Sequence, residues 1–205
     1  KSNYWNYSDQ KVMILKKNFP KIDIVEASKW ILPKPTINLK KREATEDVVI
    51  MSGRRMVMIG KQKGGIEEIW TNPFMSFRDV EAGVSLKDSD SVIWLKDLTP
   101  SITSSPELLI RKYEIGKSIL KEIITISIDK PVGVLHYEWE GQDVFKIYIK
   151  YTSNLRYMWP YSEKITSSIS YKWAPEMNAA ITSGQSNILS SIMGFSKTPP
   201  PVVPM

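Results

Sequence analysis

Three pairs of carboxylates supply the residue types that acid–base hydrolysis of a glycosidic bond requires. The pairs are Glu67–Glu68, Asp79–Glu81 and Glu138–Glu140. Such hydrolysis needs two carboxyl groups on opposite sides of the scissile bond, held several ångströms apart. Neighbouring residues of a strand point to opposite faces and residues two apart share one face, so local spacing alone does not create that separation. We therefore predict no catalytic residue in this chain.

Other motifs for catalysis or cofactor binding are missing from the sequence. The chain has one histidine and no cysteine, which excludes a thiolate metal site, a disulfide and a cysteine nucleophile. His136 lies within a strand pattern and is expected on the sheet surface rather than in a catalytic triad. The glycines at 64 and 65 follow Lys61-Gln62-Lys63 without the later Gly-Lys-Ser/Thr of a phosphate loop. We predict neither a metal nor a cofactor.

Aromatic residues are abundant, with seven Trp and nine Tyr. Flat rings stack on sugar rings, while carboxylates, amides and arginines bind hydroxyl groups. Two segments, 68–79 and 154–161, combine these residue types, and each follows a predicted strand. Both are interpreted as polar loops, the usual place for binding residues on a rigid scaffold. Three aromatic residues on predicted strand faces are expected in the core instead: Trp139, Tyr151 and Trp173.

The elements that would position these residues are strands, because apolar residues recur at every second position. A strand places alternate side chains on one face, so each such run predicts a strand with one buried face. The clearest faces are Phe145, Ile147, Ile149 and Tyr151; Leu135, Tyr137 and Trp139; Leu120, Ile124, Ile126 and Ile128; and Ile165, Ile169, Tyr171 and Trp173. Leu109 to Ile115 alternates as well, which favours a strand over a helix there.

Turn residues separate these runs at short spacing. Hairpin loops are predicted at 63–65, 140–143 and 183–185, where glycine and polar residues lie between alternating segments. Short strands are also predicted at 12–15 and 22–25, followed by an extended stretch at Pro33 and Pro35. The pattern predicts an all-β fold, a two-sheet antiparallel β-sandwich.

Composition narrows the class of protein further. The 205 residues carry a net charge of +6, but the basic residues are dispersed, and Lys40-Lys41-Arg42 is followed at once by acidic residues. This mixed surface disfavours a nucleic-acid partner. No apolar stretch approaches the roughly 20 residues that span a bilayer. The chain begins at Lys1 with no charged-then-apolar leader pattern, as expected of a mature protein after signal removal or of a piece of a longer protein. It ends in a proline-rich run, 198–205, typical of a stiff linker.

Several segments resemble the N-terminal region of bacterial glycogen-debranching-like glycoside hydrolases of the amylo-alpha-1,6-glucosidase type. The resemblance rests on 53–56, on Gly64-Gly65-Ile66-Glu67-Glu68-Ile69-Trp70-Thr71-Asn72-Pro73-Phe74 continuing to Arg78-Asp79, on 154–161 and on 193–196. The similarity covers most of the chain and is strongest to proteins of polysaccharide-degrading Bacteroides-type bacteria. In such enzymes this region is a two-sheet sandwich, often called a supersandwich, that precedes a catalytic α/α toroid.

The resemblance implies a non-catalytic domain, residues 1–197, followed by a linker, 198–205, toward a toroid outside this sequence. Its loops would rim the cleft of an exported enzyme, periplasmic, outer-membrane-associated or extracellular, that acts on glucan-like polysaccharide. The implied partners are an oligo- or polysaccharide and the covalently linked catalytic domain. The positions that match as carbohydrate-binding residues are Trp70, Asn72, Phe74, Arg78, Asp79, Arg156 and Trp159. Either arginine could instead be a structural partner of Asp79 or Glu68.

Three hypotheses follow. The domain packs on a catalytic domain and shapes its cleft; it binds carbohydrate independently; or it is a structural, adhesin-like sandwich. The second hypothesis requires measurable binding by the chain alone. The third requires buried aromatic residues and no surface groove.

Overall fold

The computed structural model describes residues 32–86, 89, 91–141, 145–158, 169–184 and 189–195. These residues belong to two compact units, one within 32–163 and one that begins after residue 163. The short strands predicted at 12–15 and 22–25, Ile165 and the linker 198–205 lie outside the described residues.

The first unit contains eleven strands among its described residues. Each run of alternating residues found in the sequence of this unit forms one of them, except that Ile128, expected on a buried face, lies beyond the end of its strand and is exposed. Their bounds are β1 (Leu39–Lys41), β2 (Val48–Ser52), β3 (Met56–Lys61), β4 (Ile66–Thr71), β5 (Phe74–Leu86), β6 (Ile93–Trp94), β7 (Ser101–Ser104), β8 (Leu109–Ile115), β9 (Ser118–Ile126), β10 (Gly133–Glu140) and β11 (Phe145–Tyr157). A short 3-10 helix, Leu95–Asp97, follows β6.

These strands form two antiparallel sheets. The first sheet has the order β1-β7-β8-β9-β10, and the second has the order β11-β5-β4-β3-β2 with β6 paired to β5. Ala82 and Val84 of the second sheet pack in one apolar cluster with Tyr113, Ile115 and Leu120 of the first. The predicted all-β sandwich is therefore confirmed.

The hairpin predicted at 63–65 is confirmed, because β3 and β4 pair on either side of it. The hairpin predicted at 140–143 is wrong, because β10 pairs with β9 in the first sheet and β11 pairs with β5 in the second. The chain here crosses from one sheet to the other. Trp139 and Phe145 stack with ring centroids 4.4 Å apart on the two sides of the crossing. Packing of these two partly buried rings against the core cluster favours the crossing over a local hairpin.

A buried ion pair lies between the sheets. Arg111 and Glu122 are cross-strand partners on β8 and β9, with side chains 1% and 4% exposed, and an Arg111 nitrogen lies 2.6 Å from Glu122 Oε2. Arg111 also donates to the backbone carbonyls of Lys61, Gln62 and Gly65 at the β3–β4 turn. The pair therefore joins the first sheet to a hairpin of the second.

Two tyrosines complete this network. Tyr137 donates to Glu122 Oε1 at 2.9 Å, and Tyr113 donates to the carbonyl of Lys63 at 3.2 Å. Every side chain of the network belongs to the first sheet. Because buried polar groups are costly unless bonded, the shared bonds make the network one energetic unit.

The second unit contains a three-stranded antiparallel sheet among its described residues. Its strands are β12 (Ser170–Ala174), β13 (Ala179–Ser183) and β14 (Ser190–Gly194), in the order β12-β13-β14. The hairpin predicted at 183–185 connects β13 to β14 and is confirmed. The expectation that Trp173 is a core residue is wrong, since it is 53% exposed. It lies on β12, whose one strand partner among the described residues is β13, and its neighbour two positions away, Tyr171, is exposed too.

Candidate functional site

An open polar cleft of about 320 Å³ lies on the second sheet, on the face directed away from the first sheet. Its walls come from three neighbouring strands, β4, β5 and β11. The lining residues are Glu67, Glu68, Met75, Arg78, Asp79, Asn154 and Arg156.

Strand register explains why these side chains converge. Cross-strand partners share a face, and Glu68, Arg78 and Thr152 form one row across β4, β5 and β11. Trp70, Met75 and Arg156 form the next row along the same strands. Residues between these rows, such as the buried Ile69 and Phe77, point to the sandwich interior.

Two β-bulges between β5 and β11 shape the cleft. The pairing of β5 with β11 shifts register between Lys150 and Thr152 and again between Ser153 and Arg156. Asp79 and Leu155 lie at these shifts with left-handed φ values of 51° and 47°. A positive φ is uncommon outside glycine and is seldom kept without a reason in the surrounding structure. Bulges redirect side chains, and here they bring Asp79 and Asn154 to the cleft.

Glu68, Trp70 and Arg156 form a connected group at one wall. The indole Nε1 of Trp70 donates to Glu68 Oε2 at 2.6 Å. The guanidinium carbon of Arg156 lies 4.8 Å from the centre of the Trp70 ring, a cation–π contact. Arg156 is only 6% exposed, so this contact is sheltered from water.

Arg78 and Asp79 form a more exposed part of the site, where Arg78 is the cross-strand partner of Glu68. Arg78 Nε donates to Asp79 Oδ2 at 2.9 Å, and both side chains are 48% exposed. Such an exposed pair adds little to stability, about 1 kcal/mol or less. Its remaining polar atoms face solvent and are available to a ligand.

Asn154 is the least satisfied polar side chain in the cleft. It is 6% exposed, and its Oδ1 is buried without a hydrogen-bond partner among the described residues. A buried amide in this condition costs about 1–3 kcal/mol. A polar ligand in the cleft would supply the partner that the protein does not.

The structure brings together part of the predicted carbohydrate-binding set. Arg78, Asp79 and Arg156 line the cleft, and Trp70 contacts two lining residues. Asn72 is exposed in the β4–β5 turn, where the Asn72–Pro73 peptide bond is cis, and Phe74 begins β5. Neither of these two residues lines the cleft. Trp159 lies outside the described residues.

The interpretation of segment 68–79 as a loop is wrong, because a two-residue turn separates two strands that run through it. Residues 154–157 likewise belong to β11. In both segments the polar residues that line the cleft lie beside buried residues of the same strands, such as Ile69, Phe77 and Ser153. Loop-like composition arises here from the bulges and from the polar outward face.

Sequence reasoning missed Asn154 and Met75 as lining residues and treated Glu67 and Glu68 as pointing to opposite faces. A register shift at Gly60 of β3, opposite Glu67, explains why both glutamates reach the cleft. The available signal was the polar Ser153-Asn154 step within an otherwise alternating strand. It indicates a bulge only once the pairing with β5 is known.

The described residues contain no group of three or more His, Cys, Asp or Glu side chains arranged to hold a metal ion. In the same part of the chain, no helix is long and apolar enough to cross a membrane. The cleft instead offers carboxylate acceptors and guanidinium and amide donors close together. This combination suits a ligand rich in hydroxyl groups, since each hydroxyl both donates and accepts.

The chain was compared with protein-family models, curated protein sequences and solved structures. No family model, curated protein or solved structure matches it.

Proposed function

We propose that this chain is a non-catalytic β-sandwich module of an exported glycoside hydrolase acting on glucan-like polysaccharide. Its role is to pack on the catalytic domain and to contribute the outward cleft of the second sheet to carbohydrate recognition. The observation that carries the recognition role is the buried amide of Asn154, which lacks a partner and lines an open polar cleft.

The chemistry of the cleft supports a carbohydrate ligand. Glu68 and Asp79 offer carboxylate acceptors, while Arg78 and Asn154 offer donors, and all four line the same space. Sugar sites use such groups to fix hydroxyls, with the scaffold keeping them in place. The residues stand on strands and bulges rather than on long loops, so their positions are set before a ligand arrives.

The non-catalytic role is supported by the resemblance to the N-terminal region of glycogen-debranching-like enzymes. We expect the isolated chain to release no reducing sugar from glucans and no chromophore from aryl glycosides. Turnover that disappears in Glu68→Gln or Asp79→Asn would overturn this part of the proposal.

Removal of the Asn154 amide tests the recognition role directly. In Asn154→Ala, affinity for a gluco-oligosaccharide is expected to fall about tenfold, the loss of one or two hydrogen bonds. The free energy of unfolding is expected to stay constant or to rise, because the variant removes a buried group without a partner. Titration calorimetry and urea denaturation on the same samples measure the two quantities.

Asn72→Ala is the matched control, since Asn72 is an exposed asparagine that does not line the cleft. It should leave both affinity and stability unchanged. Loss of binding in Asn72→Ala with retention in Asn154→Ala would place recognition at the β4–β5 turn instead of the cleft.

An independent carbohydrate-binding module is the second candidate, favoured by the fact that the cleft is built entirely from this chain. The two candidates differ in what the chain does alone. Millimolar or tighter binding to the isolated chain supports the independent module. Binding that appears only when the catalytic domain is attached supports the packed module.

A further inference from the structure

Among the described residues, the two sheets of the first unit end in four strands, and one of these, β2, contains no charged residue. A strand at the edge of a sheet exposes unpaired N–H and C=O groups, which proteins usually protect with charged side chains or proline. β1 contains two lysines, β10 two glutamates and a histidine, and β11 three basic residues. The sequence of β2 is Val-Val-Ile-Met-Ser, so it lacks this protection.

The outer edge of β2 presents backbone groups that are not paired within the described part of the chain. β2 pairs with β3 without a register shift, and the N–H of Gln62 donates to the carbonyl of Asp47 just before β2. Along an antiparallel pair, residues bonded to the partner strand alternate with residues whose N–H and C=O point away from it. Because position 47 bonds to β3, the backbone groups of Val48, Ile50 and Ser52 point to the open edge.

The same positions carry exposed apolar side chains. Val48 is 54% exposed and Ile50 is 63% exposed, whereas Met51 between the sheets is 6% exposed. Ile59, the cross-strand partner of Ile50 on β3, is half-buried and extends the apolar surface inward. The edge therefore offers another strand both backbone hydrogen bonds and apolar contact.

Charged residues of opposite sign flank β2. Glu46 and Arg54 each lie four residues from Ile50, and their side chains are 74% and 78% exposed. A second copy of the chain, aligned antiparallel on Ile50, brings Glu46 of each copy opposite Arg54 of the other. A parallel copy would instead place like charges side by side. The order of the charges thus favours an antiparallel copy as the partner strand.

The ion pairs that Glu46 and Arg54 already make are compatible with this arrangement. Glu46 lies 3.7 Å from Lys63, and Arg54 lies 2.9 Å from Asp129. On pairing, Lys63 and Glu46 of one copy would be followed by Arg54 and Asp129 of the other, a row of alternating sign. Exposed pairs of this kind are weak and leave both side chains able to gain a second partner. The net charge of +6 opposes association, and physiological salt screens that repulsion.

We infer that two copies of this chain associate through β2, aligned antiparallel about Ile50, and join their second sheets into one continuous sheet. Val48, Ile50 and Ser52 of each copy exchange backbone hydrogen bonds with the other copy, and the two Ile50 side chains meet at the two-fold axis. The surface is self-complementary, as a two-fold interface requires, and pairing covers the open edge, so association stops at two copies. This interface is separate from the carbohydrate cleft and does not depend on the proposed function.

Charge reversal tests the alignment. In sedimentation velocity at physiological salt, the mass of the full chain should rise from one copy toward two between about 10 and 500 μM, the weak association of a small interface. Glu46→Arg and Arg54→Glu should each raise the midpoint concentration about tenfold or more, because like charges then face each other at both ends. An equimolar mixture of the two variants should associate again, since every facing pair has opposite sign. A mixture that stays single, or a wild-type chain that stays single throughout, overturns the inference.

A lysine on the strand itself tests the edge. Ile50→Lys places two like charges at the two-fold axis and should abolish association. Leu39→Lys is the matched control, because Leu39 is 71% exposed on β1, at the edge of the other sheet. It should associate as the wild type does. Urea denaturation of both variants verifies that the fold is retained. Loss of association in Leu39→Lys with retention in Ile50→Lys would place the interface on the first sheet and contradict the inference.

Discussion

Replacement of Glu122 by glutamine is expected to lower the free energy of unfolding by about 3–5 kcal/mol, the usual effect of removing one partner of a buried ion pair. Arg111 would keep its charge with its side chain 1% exposed and would lose its carboxylate. Tyr137 would also lose the charged acceptor of its hydroxyl. Urea denaturation followed by tryptophan fluorescence measures the change.

Glu114→Gln is the matched control, because Glu114 lies on β8 three positions from Arg111 and its side chain is exposed. It should change stability by less than about 0.5 kcal/mol.

The double variant Arg111→Met with Glu122→Leu gives a second test. An isolated buried pair can be replaced by apolar residues without loss. Here the carbonyls of the β3–β4 turn would lose their donor, so the double variant should remain destabilised. Wild-type stability in that variant would contradict a clamping role for Arg111.

The same network predicts a loss of stability at alkaline pH. Burial, reinforced by the charge of Glu122, raises the pKa of both Tyr113 and Tyr137 well above 10.0. Below pH 10 the folded and the unfolded chain both keep the phenolic protons of these tyrosines, so the free energy of unfolding is unaffected. Above pH 10 the unfolded state releases them while the folded state retains them. Each tyrosine then removes about 1.4 kcal/mol of stability per pH unit until its folded pKa is reached.

Tyrosine-to-phenylalanine variants isolate this effect from the titration of surface lysines. At pH 8, Tyr137→Phe should be less stable than wild type by about 1–3 kcal/mol, because Glu122 loses a hydrogen bond. Between pH 10 and 11.5 that difference should shrink by about 1.4 kcal/mol per pH unit. Tyr148→Phe, at an exposed tyrosine of β11, should run parallel to wild type throughout. A constant difference in the free energy of unfolding between Tyr137→Phe and wild type across this pH range would contradict a raised pKa of Tyr137 in the folded state.

Alternation alone predicted the strands β8 to β11, whereas the segment that contains β5 was interpreted as a loop. Phe145 and Ile149 on β11, and Tyr137 and Trp139 on β10, pack against the buried cluster as the period of two requires. Side chains on a half-buried strand must alternate to meet one apolar layer, so sequence carries this information locally. The same logic failed for Trp173, because alternation indicates a common face but does not determine what covers it.

Long-range pairing could not be predicted in the same way. Glu122 interrupts the apolar face between Leu120 and Ile124, and a lone acid in a strand normally indicates solvent. The pairing with Arg111 and the hydrogen bond from Tyr137 make its burial possible. The inter-sheet crossing after Glu140 and the exposure of the cleft depend in the same manner on which strands become neighbours. Arg78, Asp79 and Arg156 were expected as binding residues only from the resemblance stated for their segments, whereas Asn154 became recognisable only from its burial.

The crossing between β10 and β11 has a consequence for the order of folding. The β3–β4, β4–β5 and β8–β9 pairs are local hairpins that close short loops. In contrast, β11 pairs with β5 although the strands β6 to β10 separate them along the chain. Pairings of large sequence separation carry a higher entropic cost and form slowly. Asn154 and Arg156 reside on β11, so we expect the ligand-binding cleft to be among the last features to assemble. Acquisition of ligand binding during refolding would then report completion of the native topology.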